Sequence, residues 1–405
     1  MRGLTRKKIA ALLLAYAVVT AGGVLGWRYL QPIWDPFKAR SIADAPFASL
    51  TYGVHTFLWW DVGTVGKHLD WVRLMSFSHA KQIFAWRDLE PQRGVWDWRQ
   101  ADRILSEVQR RGLQLVVRLG QTPQWARSPG ASLARDAPPE SMTEWRAYCA
   151  AVAERYRGNI SAYQIWNEPN LSREWGDQSP DPAAYVNLLA ECGRAIRQID
   201  PAAILISAGL APTGTYDERA MPDDVYLDQM YRHGFQRYID AVGVHAPGFA
   251  PPEIGPDDPQ ALHRWFTFRR VEDLRKIMLN YGDEARQMAI LEFGYTIDPV
   301  NPEYQWFSVT EQEQADFIER AYEYVIANWR PWVGLMILIY LPDPAWHPAD
   351  EEYWWSIVEA EGSRPRPAFI KVANMRKVCG DFLIPARVDN GPVALGKVVA
   401  PICPA

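Results

Sequence analysis

Two glutamates stand where a chain can place reactive groups. Glu168 lies in Trp166-Asn167-Glu168-Pro169-Asn170, directly after an apolar run, and Glu292 lies in Leu291-Glu292-Phe293-Gly294-Tyr295 near the end of another. A pair of carboxyl groups can cleave a glycosidic bond. The protonated one delivers its proton to the leaving oxygen, and the ionised one attacks the anomeric carbon. Their separation decides the stereochemistry, about 5–5.5 Å for retention and about 6.5–9.5 Å for inversion. A single Glu after a strand is usually a surface carboxylate. Glu168 held between Asn167 and Pro169, with Glu292 three strand–helix units later, favours the catalytic reading.

Other residues gather at the ends of the same kind of run. His55 closes the first, Trp86 the second and His245 the sixth; Trp125 follows the third, and Tyr340 lies near the end of the eighth. Lys81 sits within the second. Each has an ordinary alternative. A strand-end His is often a satisfied polar group at a rim, and Trp86, Trp125 and Trp166 equally suit core filling. Glu90, before Pro91, reads as part of a turn. Trp346, Trp354 and Trp355 follow the eighth run, as an outer subsite or as cover for the rim.

These residues meet only if the runs form one sheet. Strand patterns cover 50–55, 80–86, 113–119, 160–166, 204–209, 241–245, 288–293 and 333–341. Helical periodicity covers 101–111, 142–156, 183–199, 271–279 and 311–329, and a last helix follows Arg366-Pro367. Eight alternating units in a chain of 405 residues predict a (β/α)8 TIM barrel, whose strands aim their carboxyl ends at one opening. An open doubly wound sheet is the alternative. It ordinarily carries a glycine-rich first turn, where this chain has His55-Thr56-Phe57-Leu58.

Composition narrows the partners. A net charge of -5 and a pI near 5.9 exclude a general nucleic-acid binder. Seven scattered His and four Cys show no zinc-ligand spacing, and no phosphate loop is present, so neither metal nor cofactor is expected. The 19 Trp suit both core packing and sugar stacking.

The amino terminus places Arg2, Arg6, Lys7 and Lys8 before an uncharged run over 9–27, long enough to cross a bilayer, with Arg28 alone just beyond it. A transmembrane anchor over 1–27 with the remainder outside the cytoplasm is expected. A cleaved signal peptide at Val19-Thr20-Ala21 is the rival. Residues 28–47 read as a linker, 48–380 as the barrel and 381–405 as a tail. Cys149 with Cys192, and Cys379 with Cys403, can pair in an exported chain, or remain buried thiols.

The motif around Glu168 resembles the Asn-Glu-Pro signature of the clan A (β/α)8 glycoside hydrolases, and the segment around Glu292 resembles their strand-7 end. The wider context is similar to family 39 glycosidases and family 5-like cellulases: Trp86-Arg87-Asp88-Leu89-Glu90-Pro91, Trp96-Asp97-Trp98, Thr122-Pro123-Gln124-Trp125-Ala126, Asn170-Leu171 leading to Trp175, and Arg366-Pro367-Ala368-Phe369. The resemblance implies a retaining β-glycosidase with Glu168 as acid/base and Glu292 as nucleophile. It implies that Asn167 bonds the sugar 2-hydroxyl, that His245 lines the cleft, and that Trp175 and Tyr340 are stacking platforms. The chain departs from the clan in having Lys81 where many members carry an Arg that steadies the nucleophile. It also has Ala246-Pro247-Gly248 where many have Pro-Tyr.

The expected partner is an oligo- or polysaccharide, bound by a monomer tethered to a membrane. Two other functions use the same residues: a catalytically silent glycan-binding barrel, and a transglycosidase that passes the sugar to another sugar.

Overall fold

A computed structural model describes residues 42, 44–60, 62–127, 136–303, 305–360, 364–380, 382–387 and 401–403. Eight parallel strands close into a barrel in sequence order: β1 (Thr51–His55), β2 (His79–Ala85), β3 (Gln114–Gly120), β4 (Ala162–Ile165), β5 (Ile204–Ser207), β6 (Ala241–Pro247), β7 (Gln287–Gly294) and β8 (Val333–Leu338). Pairing of Thr51 with Leu335 and of Val54 with Leu338 closes the ring. A main helix follows each strand in turn: α1 (Val65–Leu74), α2 (Arg99–Arg110), α3 (Met142–Arg155), α4 (Pro182–Ile199), α5 (Asp223–Arg232), α6 (Arg270–Asn280), α7 (Glu311–Asn328) and α8 (Pro367–Asn374), with short helical turns at Trp86–Leu89 and Glu351–Trp355. This is the barrel expected from the alternation; the open sheet is excluded by the closure of β1 on β8.

Helix starts follow local chemistry. The Asp181 carboxylate caps α4, with Pro182 at its first position. Thr310 and Glu313 form a reciprocal capping box on α7. The apolar periodicity missed α1 and α5, because their buried faces carry polar groups: His68 in α1 and Asp223 in α5. Asp223 is tied to the buried Arg270 of α6 at 2.8 Å, so a charge pair substitutes for an apolar contact there.

Alternation along the strands builds two cores. Outward side chains such as Leu115, Val117 and Leu119 pack beneath the helices. Inward side chains Val116, Ala162, Ile206, Ala241, Ala289, Leu291, Leu335 and Ile337 fill the amino-terminal half of the lumen around Phe47. Phe47 falls in the stretch read as linker, yet it is buried, and its backbone N–H and carbonyl both bond the Gln287 side chain at 3.0 Å. The lumen is therefore plugged below, and only its carboxyl-terminal half is left for polar groups.

Cys149 of α3 and Cys192 of α4 form one disulfide, and Cys379 and Cys403 form another. The second ties the chain end to a hairpin of β9 (Lys377–Cys379) and β10 (Phe382–Ile384). The apolar run at 9–27 read as a membrane anchor lies outside the described residues. Among the described residues no helix is long and apolar enough to cross a membrane.

Candidate active site

Strict alternation would aim Glu292 away from the lumen, because Ala289 and Leu291 already face it. The ladder between β6 and β7 slips at this point: Val244 pairs with Ile290, but His245 pairs with Glu292. That extra residue is a β-bulge, which resets the alternation. Leu291 points into the lower lumen, Glu292 points into the upper lumen, and Phe293 returns to the outer core. Lys81, inward on β2, fastens the bulge. Its ammonium donates to the Leu291 carbonyl and to Glu292 Oε1, each at 3.0 Å.

Glu168 comes from the opposite wall. It follows β4 through a backbone with two left-handed residues, Trp166 at φ 71° and Glu168 itself at φ 39°. Non-glycine residues hold such angles only where their surroundings impose them. Trp166 is locked between Trp145 and Trp175, with its indole N–H on the Glu174 carbonyl at 3.0 Å, and the Glu168 N–H donates to the Gly209 carbonyl at 3.0 Å. His245 Nδ1 lies 2.8 Å from Glu168 Oε1 and 3.8 Å from Glu292 Oε2. A carboxylate oxygen of each Glu and a ring nitrogen of His245 all fall within 4.8 Å of one another. The two glutamates thus meet in one lumen, with an oxygen of each within 4.8 Å of the other. Three such atoms are also close enough to ligate a cation; at Glu292 the Lys81 ammonium already supplies positive charge.

The electrostatics separate the two carboxyls. Burial acts to raise the Glu292 pKa, but Lys81, His245, His55 and Arg118 together overcome it and hold the group well below the usual carboxylate range. Burial pushes the Lys81 ammonium down to about 8, against the pull of Glu292. Burial and then the Lys81 charge push His55 well below its ordinary value, and its Nδ1 lies 3.6 Å from Glu292 Oε1. Glu168 has Arg173 at 3.7 Å on its solvent side.

The structure brings several of the residues singled out in the sequence to this opening. Asn167 is buried beside Glu168 and its Oδ1 accepts from Gln164 Nε2 at 3.3 Å. His55 stacks on Phe57 at 4.8 Å and meets the edge of Tyr340 at 5.5 Å; Trp346 closes on both Phe57 and Tyr340. Trp125 is half-buried near the rim, with Arg93 over its ring at 5.1 Å. Two platforms are corrected. Trp175 is 2% exposed and wedged between Trp166 and Tyr185, with no face left for a sugar. Trp86 is fully buried, stacked on Tyr148, and its indole N–H bonds Glu90 at 2.7 Å. Both set the shape of the site from beneath. Glu90, read as a turn residue, also accepts the Gly94 N–H at 2.7 Å.

Other residues at the site escaped the sequence. Gly209 is needed for close approach, because a Cβ there would lie 2.1 Å from the His245 ring. Arg118 enters the lumen from β3, and Asp136 is buried beside Gly120 with its Oδ2 accepting the Gln121 N–H at 3.2 Å. Alternation from Val116 would have found Arg118; nothing local marks Gly209 or Asp136.

The family model for glycosyl hydrolase family 10 matches residues 79–203, a segment that holds Lys81, Arg118 and Glu168 but not Glu292. No curated protein matches the chain significantly. Among solved structures, a family 39 glycoside hydrolase from Bacteroides cellulosilyticus WH2 superposes with a TM-score of 0.60 at 17% identity, over 82% of this chain and 64% of its own. GH5_18 from Streptomyces cattleya, solved with GlcNAc, gives 0.59 at 18% identity, over 81% and 79%. Xylanase 10B from Thermotoga maritima gives 0.53 at 14% identity, over 82% and 95%. The barrel resembles those of the clan A glycoside hydrolases. At such identities the superpositions speak for the fold, and the chain spans less than two thirds of the family 39 protein. Where many clan members carry an Arg on strand 2, this chain has Lys81, whose ammonium lies 3.0 Å from Glu292.

Proposed function

We propose that this protein is a retaining glycoside hydrolase acting on β-linked glycans by double displacement. The observation that carries the reading is the meeting of Glu168 and Glu292 in one lumen, with polar atoms of both and of His245 within 4.8 Å. So close an approach supports direct attack, for which carboxyls stand about 5–5.5 Å apart, over the wider spacing of about 6.5–9.5 Å that inversion uses. Glu292, kept ionised by Lys81, attacks the anomeric carbon. Glu168 gives its proton to the leaving oxygen, then takes one from the water that releases the glycosyl-enzyme. His245 bridges the two, and Asn167 bonds the 2-hydroxyl. Tyr340, with Phe57 and Trp346, offers the aromatic wall on which a pyranose stacks.

The proposed location is outside the cytoplasm, with residues 9–27 as a membrane anchor. Four cations ahead of that run support this orientation. Two disulfides fit an oxidising compartment. The substrate is then a glycan at the cell surface or beyond it.

Replacing Glu292 with Gln should abolish turnover, and a 2-fluoro glycoside should label Glu292 covalently in the unaltered protein. In Glu168→Ala, azide should restore activity on an activated aryl glycoside, giving a β-glycosyl azide. Full turnover by Glu292→Gln would refute the assignment.

A further inference from the structure

Glu168, Glu292, Ile83 of β2 and Arg118 of β3 keep a small part of their surface open at the upper lumen. They are the surface a bound sugar would touch. Arg118 lies two residues beyond the inward Val116 and pairs in register with Ile83 and with Gln164, so it faces the lumen just above Lys81.

The cations here differ in what they hold. Lys81 is bound to Glu292, and Arg173 lies against Glu168. Among the described residues Arg118 has no hydrogen bond and no carboxylate within ion-pair distance, although its charge reaches Glu292, Lys81, His55, Asp136 and Glu174. The nearby acids do not balance it fully. Burial pushes Asp136 up to about 7 despite Arg118, and burial, then Glu168 and Asp136, push Glu174 up to about 8. A guanidinium that faces the lumen and is held by no protein partner keeps its donors available to a ligand. The group that fits its planar fork best is a carboxylate.

We propose that Arg118 receives a carboxylate carried by the glycan, so that the substrate class is an acidic, uronate-bearing β-glycan. The proposal rests on the hydrolase reading for the placement of the sugar, and it adds the charge of that sugar. Arg118 acts on specificity, not on bond cleavage: its fork docks the C5 carboxylate and sets the anomeric carbon between Glu292 and Glu168.

The test is calorimetric binding to the full-length Glu292→Gln protein of oligo-mannuronate, oligo-guluronate, oligo-glucuronate and oligo-galacturonate. Each is compared with the same oligomer after reduction of its carboxyls to alcohols. At least one uronate oligomer should bind about tenfold or more tighter than its reduced form, as expected for a charge-assisted bidentate pair. That preference should vanish in Arg118→Gln and survive in part in Arg118→Lys, which keeps the charge without the fork. Absence of any preference across the four pairs, or its persistence in Arg118→Gln, overturns the proposal. The two readings fail separately. Uronate oligomers bound but never cleaved by the unaltered protein would remove the hydrolase and leave Arg118 its role. Cleavage of a neutral glycan with no gain from carboxylates would do the reverse.

Discussion

Replacing Lys81 with methionine removes the cation that faces Glu292 and leaves a side chain of similar reach in its buried place. The charges lie 3.0 Å apart. At an effective dielectric constant of about 20, unit charges at that distance attract by about 5–6 kcal/mol. Breaking a buried pair by deleting one partner costs about 3–5 kcal/mol. Assigning about 3 kcal/mol of this to ionisation of Glu292 raises its pKa by about 2 units. The unaltered protein keeps Glu292 ionised well below the ordinary carboxylate range, so the acid limb of its pH–activity profile should lie there. In Lys81→Met the limb should move upward by about 2 pH units. The deficit in kcat/KM should therefore reach about 100-fold on the acid side and shrink as pH rises. The assay is the pH dependence of kcat/KM with a 2,4-dinitrophenyl glycoside, whose leaving group needs little protonation, so the acid limb reports Glu292. A limb that stays in place, or a loss by the same factor at every pH in a folded protein, would refute the electrostatic account.

The same lysine predicts an alkaline limb. Its proton is present below about 8 and lost above it, so activity should fall as pH rises through that value, and Lys81→Arg should shift the fall upward. A limb unmoved by Lys81→Arg would refute the assignment of the fall to Lys81. Gly209→Ala should drive a methyl group into the His245 ring, displacing it from Glu168; melting temperature and kcat should both drop, with about 1–3 kcal/mol of overpacking strain, and retention of both would contradict the packing. Trp175→Ala should lower stability by about 3–5 kcal/mol in denaturant titration with KM unchanged, whereas Tyr340→Ala should raise KM with little effect on stability. The opposite pattern would restore Trp175 as a sugar platform.

Much of this site is legible in order along the chain. Apolar runs alternating with amphipathic ones dictate a parallel barrel, since runs buried on both faces need helices outside. A barrel in turn brings its strand ends to one mouth, so the segments that carry Glu168, His245 and Glu292 could be placed at one end from position alone, though not the direction of the Glu292 side chain. Burial was harder to read. Trp86 ends the second run and Trp175 follows the motif around Glu168, but whether an aromatic ring faces a cavity or a neighbouring ring depends on packing partners on other elements, Tyr185 and Tyr148 among them.

The finest features belong to the tertiary structure. Strand periodicity alone turns Glu292 outward; a one-residue slip against β6 turns it inward, and the Lys81 ammonium, 210 residues earlier, pins the carbonyl that the slip exposes. Gly209 makes room for an imidazole from another strand, and Phe47 seals a lumen that its own neighbours in sequence do not form. The amino-acid order determines which groups each strand can offer, because alternation and burial are local. Register, bulges and close approaches are set between strands, where one residue of slip reverses the direction of a side chain.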